Sequence, residues 1–373
     1  MDGGSDFGRI SLQEMSTRLC GSADLFATEP GRGAPASINF VSCHDGFTLT
    51  DLTRYRSKHN EANGENNNDG SSVNHSANFG VEGVTDDPDV IAAREQAAMN
   101  MIGMLLLSLG TPMMLAGDEF RNTQDGNNNA YCQDNDITWL KWDWMYSTNK
   151  TREMRRLETV SRLVALRKSL DLYHHEDFFT RLTQLGLLKP SSRVQWFLPD
   201  GTTPMERDWF DLGVRSFTMR LLSNSEVDVC IVVNGTADDR TFRLPPDTHW
   251  TPKWCSAEIN GRRAGHGTQV EECDLNGDTT VWTQHVPDAS ETVLKMVEEV
   301  AMQRTESSTE NEADTIEFTM PVTDHAANGT SSVPRDEVSA DMPDAPVDDT
   351  PDTPVDDNVW TMPALSITLM KQV

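Results

Sequence analysis

Two short, unbroken apolar runs, each ending in charged or titratable side chains and each followed by a long Asn- and Gly-rich stretch, constrain this chain more than any other feature. The first, SINFVS at residues 37–42, stops at His44 and Asp45; the second, TPMMLAG from Thr111, stops at Asp118 and Glu119. Apolar runs of this length, bounded by polar residues, predict strands buried on both faces. Between them, Asp86, Asp87 and Pro88 mark a helix start, and DVIAAREQAAMNMIGMLLLSLG runs to a stop at Gly110. Strand, long loop, helix, strand, long loop predicts successive βα units of a parallel sheet.

The pattern then changes twice. KTREMRRLETVSRLVALRKSL predicts an amphipathic helix with Leu157, Val160, Leu163, Val164 and Leu170 on one stripe. From about Leu187 the period falls to two: VQWFL, VRSFTMRLL, VDVCIVV, RTFRL and DTTVWTQHV are short strands between turns, the signature of an antiparallel, sandwich-like β domain. Residues 301–357 hold 15 acids against two arginines, a net charge of −13, and their composition predicts a disordered acidic spacer. VWTMPALSITLM restores a strand pattern after it, so the spacer reads as an insertion whose far side returns to the β domain. The expected segments are 1–175 (α/β), 176–300 (β domain), 301–357 (insertion) and 358–373 (last strand).

Composition narrows the partners. A net charge of −28 repels nucleic acid and favours a neutral ligand. The longest apolar stretch is broken by Gly110 and Pro112, which predicts buried helix and strand and no membrane span. Six scattered cysteines without a CxxC pair predict free thiols in a reducing compartment. MDGGSDFGRISLQ has neither a basic n-region nor an apolar h-region, so an intracellular location, cytoplasm or plastid stroma, is expected, and the sequons at Asn74, Asn149, Asn234 and Asn328 read as chance.

Parallel strands deliver the residues that follow them to the C-terminal edge of a sheet, where α/β folds build their sites. His44 and Asp45 are candidates there, against the alternative of a buried histidine satisfied by a carboxylate. Asp118 and Glu119 share the edge, and a structural cap competes with a role in the site. The loops HNEANGENNND and TQDGNNNAYCQDND carry amides, carboxylates and Tyr131, equipment that suits sugar hydroxyls and equally suits a solvated loop. DLNGDTTV from Asp274 lacks the Gly and Glu of a calcium loop, and no GxGxxG, Walker A, GxSxG, HExxH or zinc spacing occurs, so neither cofactor nor metal is expected.

INFVSCHDGFTLTDL, SKHNEANGENNNDG, GTPMMLAGDEFRNTQDGNNNAYCQDNDITWL, and VQWFLPDGT followed by DWF resemble the isoamylase and bacterial glycogen-debranching branch of the α-amylase superfamily, over about residues 11–246 and the last strand. The resemblance implies a (β/α)8 barrel with a C-terminal β domain, acting on α-1,6 branch points of glycogen or starch-like glucans with retention of configuration. It makes Asp45 the third carboxylate, which holds sugar hydroxyls in the transition state, and His44 the histidine beside it. It puts Asp118 and Glu119 in the non-catalytic wall that supports substrate binding, and with them Asn60, Glu61, Asn63, Asn127, Asn128, Asn129 and Tyr131 of the two loops are expected substrate contacts.

Two departures stand out. GRISLQEMSTRLCGSADLF already matches the helix before the seventh strand, and only 37 residues precede Ile38, whereas a barrel takes roughly 250. The expected content is therefore about the last two βα units and the β domain, without the nucleophilic Asp and general-acid Glu, so the chain alone is expected to be inactive. Ala77 stands where the resemblance has Trp. The competing expectation is a non-catalytic α-glucan-binding or scaffold protein; the bare edge of a two-strand remnant of a barrel argues for the enzyme portion.

Overall fold

The computed structural model describes residues 10–27, 32–174, 194–222, 227–246, 248–266, 271–272, 358–364 and 366–372. The chain divides into two compact units, Met1–His285 with Val355–Val373, and Val286–Pro354. The second unit, the whole of the expected acidic insertion and the whole of the expected strand DTTVWTQHV lie outside the described residues.

In chain order the helices are α1 (Leu12–Leu19), α2 (Ala23–Phe26), α3 (Leu49–Leu52), α4 (Pro88–Leu107), α5 (Arg152–Ser169) and α6 (Glu206–Phe210). The strands are β1 (Ile38–Asn39), β2 (Thr111–Pro112), β3 (Val194–Phe197), β4 (Ser216–Leu221), β5 (Val229–Asn234), β6 (Arg240–Arg243), β7 (Trp250–Cys255), β8 (Arg262–Arg263), β9 (Gly265–His266), β10 (Glu271–Glu272), β11 (Val359–Met362) and β12 (Ser366–Gln372).

The first half follows the βα pattern. β1 and β2 pair in parallel, Ile38 opposite Thr111, and α4 connects them. Asp87 caps α4 by accepting from the amides of Asp89 (3.0 Å) and Val90 (3.3 Å), with Pro88 in the first turn where its missing N–H costs nothing. α4 is long and apolar enough to cross a membrane by length and composition, but its buried residues, from Ala98 to Leu107, belong to the hydrophobic core.

The strands differ from expectation. The runs at 37–42 and 111–117 were expected to be buried on both faces; each contributes two strand residues, and burial alternates along the first. Ser37 and Ser42 are buried, whereas Ile38 is 59% and Phe40 54% exposed. The reason is that β1 and β2 pair only with each other, so among the described residues no layer covers the face that Ile38 and Phe40 present. Pro112 also removes a ladder donor from β2.

The β part is a five-stranded antiparallel sheet in the order β3-β4-β5-β12-β7, a three-stranded sheet β6-β11-β9, and the pair β8-β10. β12 enters between β5 and β7, so the last segment of the chain completes the middle of the large sheet. β7, absent from the sequence expectations, carries Pro252 mid-strand. It is an edge strand, and its register with β12 slips beside Pro252, which is where a sheet tolerates proline.

Alternation along β5 and β12 sends side chains to two cores. Cys230, Val232 and Met370 pack with Phe242, Trp360 and Met362 of the three-stranded sheet. Val229, Ile231, Ile367 and Leu369 face the other way and join Met99, Ile102 and Leu106 of α4. Gly103 makes that junction possible, since a Cβ there would lie 2.8 Å from the fully buried Trp254 ring. Gly103→Ala should therefore lose about 1–3 kcal/mol through overpacking, despite the better helix propensity of alanine, as read by urea denaturation.

Candidate functional site

His44 and Asp45 follow β1 on a turn that returns the chain to α3. Their side chains are 88% and 77% exposed, and Nε2 of His44 lies 3.4 Å from Oδ2 of Asp45. Neither is a buried pair; both stand open at the C-terminal edge of the two strands. Gly46, at φ 88°, donates its N–H to the carbonyl of Asn128 at 3.0 Å, tying the turn to the second Asn-rich loop.

Asp118, expected among the substrate contacts, is 2% exposed, and its carboxylate is fully engaged. One oxygen accepts from the hydroxyl of Ser42 and the other from the amide of Leu49 at 2.9 Å. Ser42 and Leu49 flank His44 and Asp45 on either side, so Asp118 braces the turn that carries them. Glu119 is partly buried and folds back to accept from the amide of Gly117 at 2.8 Å. Burial raises the pKa of both carboxyls.

Beneath the turn lies a charge cluster that the sequence did not reveal. Arg156 of α5 donates to Glu95 of α4 at 2.8 Å, and Arg121 lies 3.1 Å from the other oxygen of Glu95. All three side chains are more than nine-tenths buried. Arg156 also reaches the hydroxyl of Thr50 (3.3 Å) and the carbonyl of Asp118 (3.4 Å), linking α4 and α5 to α3 and to the segment that follows β2. Burial pushes the Glu95 carboxyl up, but the two guanidiniums outweigh it and leave its pKa lowered. Asp51, also missed, is fully buried in α3 and accepts from the Thr123 hydroxyl and from the Gln124 amide at 2.8 Å.

The two Asn-rich loops are zipped together by their own amides. Asn60 donates to the Asn128 side chain at 2.9 Å, and the Asn128 amide returns a bond to Asn60 at 3.0 Å. Asn127 donates to Asn63 at 2.8 Å, Asn63 to the Asn129 carbonyl at 2.9 Å, and Asn63 and Asn129 both donate to Asp69, at 2.7 and 3.0 Å. Asn60, Asn127 and Asn128, expected as substrate contacts, are buried and bonded within the loops; a buried amide must satisfy its donors inside the protein. Asn63 and Asn129 are half-buried, while Glu61 and Tyr131 stand exposed. Gly70, at φ 72°, lets the zipper close, since a Cβ there would sit 2.3 Å from the Asn128 side-chain oxygen.

The first loop closes on Glu82, whose carboxylate accepts from the amides of Arg56 and Ser57, from Asn78, and from His59 at 3.2 Å. Burial opposes ionisation, but these donors outweigh it and bring the pKa down to about 2. Arg94 holds the same segment by donating to the carbonyls of Asn78, Val81 and Gly83. Ala77, where the resemblance has Trp, is half-buried and donates its amide to the Leu52 carbonyl at 3.0 Å. Among the described residues, no group of three His, Cys, Asp or Glu side chains could hold a metal ion.

Two outcomes follow from these bonds. A carboxyl with a depressed folded pKa contributes stability above its ordinary value of 4.5 that is lost as pH falls toward 2. Protection of the Arg56 and Ser57 amides, taken relative to their intrinsic exchange rates, should therefore fall as pH drops across that window, and Glu82→Gln should remove that pH dependence of protection. Arg156→Ala takes one of the two guanidiniums from buried Glu95, leaving Arg121 alone beside it, and should cost about 3 kcal/mol in chemical denaturation.

No protein-family model matches the chain. A "Glycogen operon protein GlgX homolog" of Mycobacterium tuberculosis is 44% identical over 213 residues, covering 56% of this chain and 28% of its own length. A "Glycogen debranching enzyme" of Pectobacterium atrosepticum is 37% identical over 270 residues, covering 72% of this chain and 38% of its own. An Anoxybacillus pullulanase crystallised with maltotriose aligns at TM-score 0.44 and 16% identity, over 71% of this chain and 29% of that one. The chain thus spans about a third of the length of these curated relatives. Over the aligned residues it is similar to proteins named for glycogen debranching, and its partial coverage is that of a portion of such proteins.

Proposed function

We propose that the chain is the sugar-holding portion of a retaining α-1,6-glucan debranching hydrolase, and that its nucleophile and general acid come from a barrel portion to which it does not align. Asp45 is the third carboxylate and His44 its neighbour; bonds from these groups to ring hydroxyls strengthen as the sugar flattens toward an oxocarbenium ion, which favours the transition state over the bound substrate. The observation that carries this reading is the turn itself. Asp118 and Asn128 fix its backbone while both reactive side chains point away from the protein.

In this reading β1 and β2 are adjacent strands of a closed (β/α)8 barrel, and Ile38 and Phe40 face its interior. Their exposure fits a face that other strands cover. Glu61, Tyr131, Asn63 and Asn129 remain available to a branched glucan such as glycogen, amylopectin or a limit dextrin, with Glu119 in the wall behind Asp45. We place the protein inside the cell, in cytoplasm or plastid stroma, in keeping with its free described cysteines. The alternative of a glucan-binding protein without catalysis draws support from the loop zipper, which is complete within this chain.

Co-expression with the remaining barrel portion of the Mycobacterium tuberculosis relative separates the two. Debranching of glycogen, read as reducing ends released, should require both pieces, and Asp45→Asn should lower it roughly hundredfold or more while leaving the circular dichroism unchanged. Debranching by the chain alone would overturn the division of roles, and an assembled pair without activity would favour the binding protein.

A further inference from the structure

Trp139 is 55% exposed, yet it is not loose. Its indole Nε1 donates to Oδ1 of Asp134 at 2.9 Å, and its backbone N–H donates to the Asn135 carbonyl at 3.0 Å. The turn beneath is closed by the Thr138 hydroxyl on the Gln133 carbonyl (2.9 Å) and the Ile137 amide on the Asn135 side chain (2.9 Å). Gln133 in turn donates to Asn63 at 2.8 Å, which fastens the turn to the loop zipper.

We propose that Trp139 and Asp134 form a stacking platform for an outlying segment of a neutral α-glucan chain, separate from the His44–Asp45 turn; this rests on the glucan reading above. Because Asp134 already takes the indole N–H, the ring has no polar demand left and offers its flat face, which matches the apolar face of a pyranose ring. The second carboxylate oxygen of Asp134, with the exposed Asn135 beside it, can accept or supply the bonds that sugar hydroxyls need at the ring's rim. The side chain is ordered before binding, so little rotamer freedom is lost when a ligand stacks on it. Continuity with the site is structural, since the same loop binds the Gly46 amide through Asn128.

The full chain would be titrated with maltoheptaose by intrinsic fluorescence and run through gels containing glycogen. Trp139→Ala should weaken binding on the order of tenfold, Trp139→Phe should weaken it less, and added salt should leave binding unchanged. Wild-type affinity in Trp139→Ala, with Asp45→Asn weakened, would overturn the platform and leave the debranching reading intact. Trp139-dependent glucan binding beside an inactive assembled barrel would sustain the platform and sink that reading. Salt-sensitive binding of polylysine at Trp139, with none of maltoheptaose, would overturn the platform in favour of a cationic ligand.

Discussion

The carboxylate of Asp118 is the bond point on which the first half of the protein turns. It lies at the end of β2 and holds Ser42 before the His44–Asp45 turn and Leu49 after it, while Arg156 donates to the backbone carbonyl of the same residue. A buried carboxylate is costly to leave unpaired, so both of its oxygens dictate where neighbouring donors must sit. That requirement turns a pair of two-residue strands into a rigid mount for an exposed turn. Arg156, Glu95 and Arg121 extend the same logic downward, since each buried charge is tolerable only while its partners stay in place.

The mount also needs a wall, and the β part provides it. A sheet buried on both faces must alternate its apolar residues between two cores, and β5 and β12 do so with Val229 and Ile231 toward α4 and Cys230 and Val232 toward the smaller sheet. Because β12 is built from residues 366–372, the helix that connects the two parallel strands rests on a strand drawn from far along the sequence. Gly103 gives the helix room beside Trp254 of the neighbouring β7.

Much of this was legible in one dimension. Asp87 and Pro88 announced α4, the apolar stripe announced α5, and the short alternating runs announced β3 to β6, because caps and periodicity are local properties. The two parallel strands were located correctly and their burial was not. An apolar run states that it can be covered, and only the neighbouring layer decides whether it is. β7 escaped because Pro252 argues against a strand everywhere except at an edge, and being an edge is a property of the sheet.

The candidate site divides along the same line. The sequence by itself determined the residue types at the strand ends, His44 with Asp45 and Asp118 with Glu119, and the composition of the two loops. Tertiary structure alone decided which of these face outward. Asp45 and Asp118 are both aspartates after apolar runs, yet one is open and the other is sealed by Ser42 and Leu49. Asn60 and Asn129 share a composition, yet one is buried in the zipper and the other lies at its margin. Burial and hydrogen-bond partners come from chain segments dozens of residues away, so no local pattern encodes them.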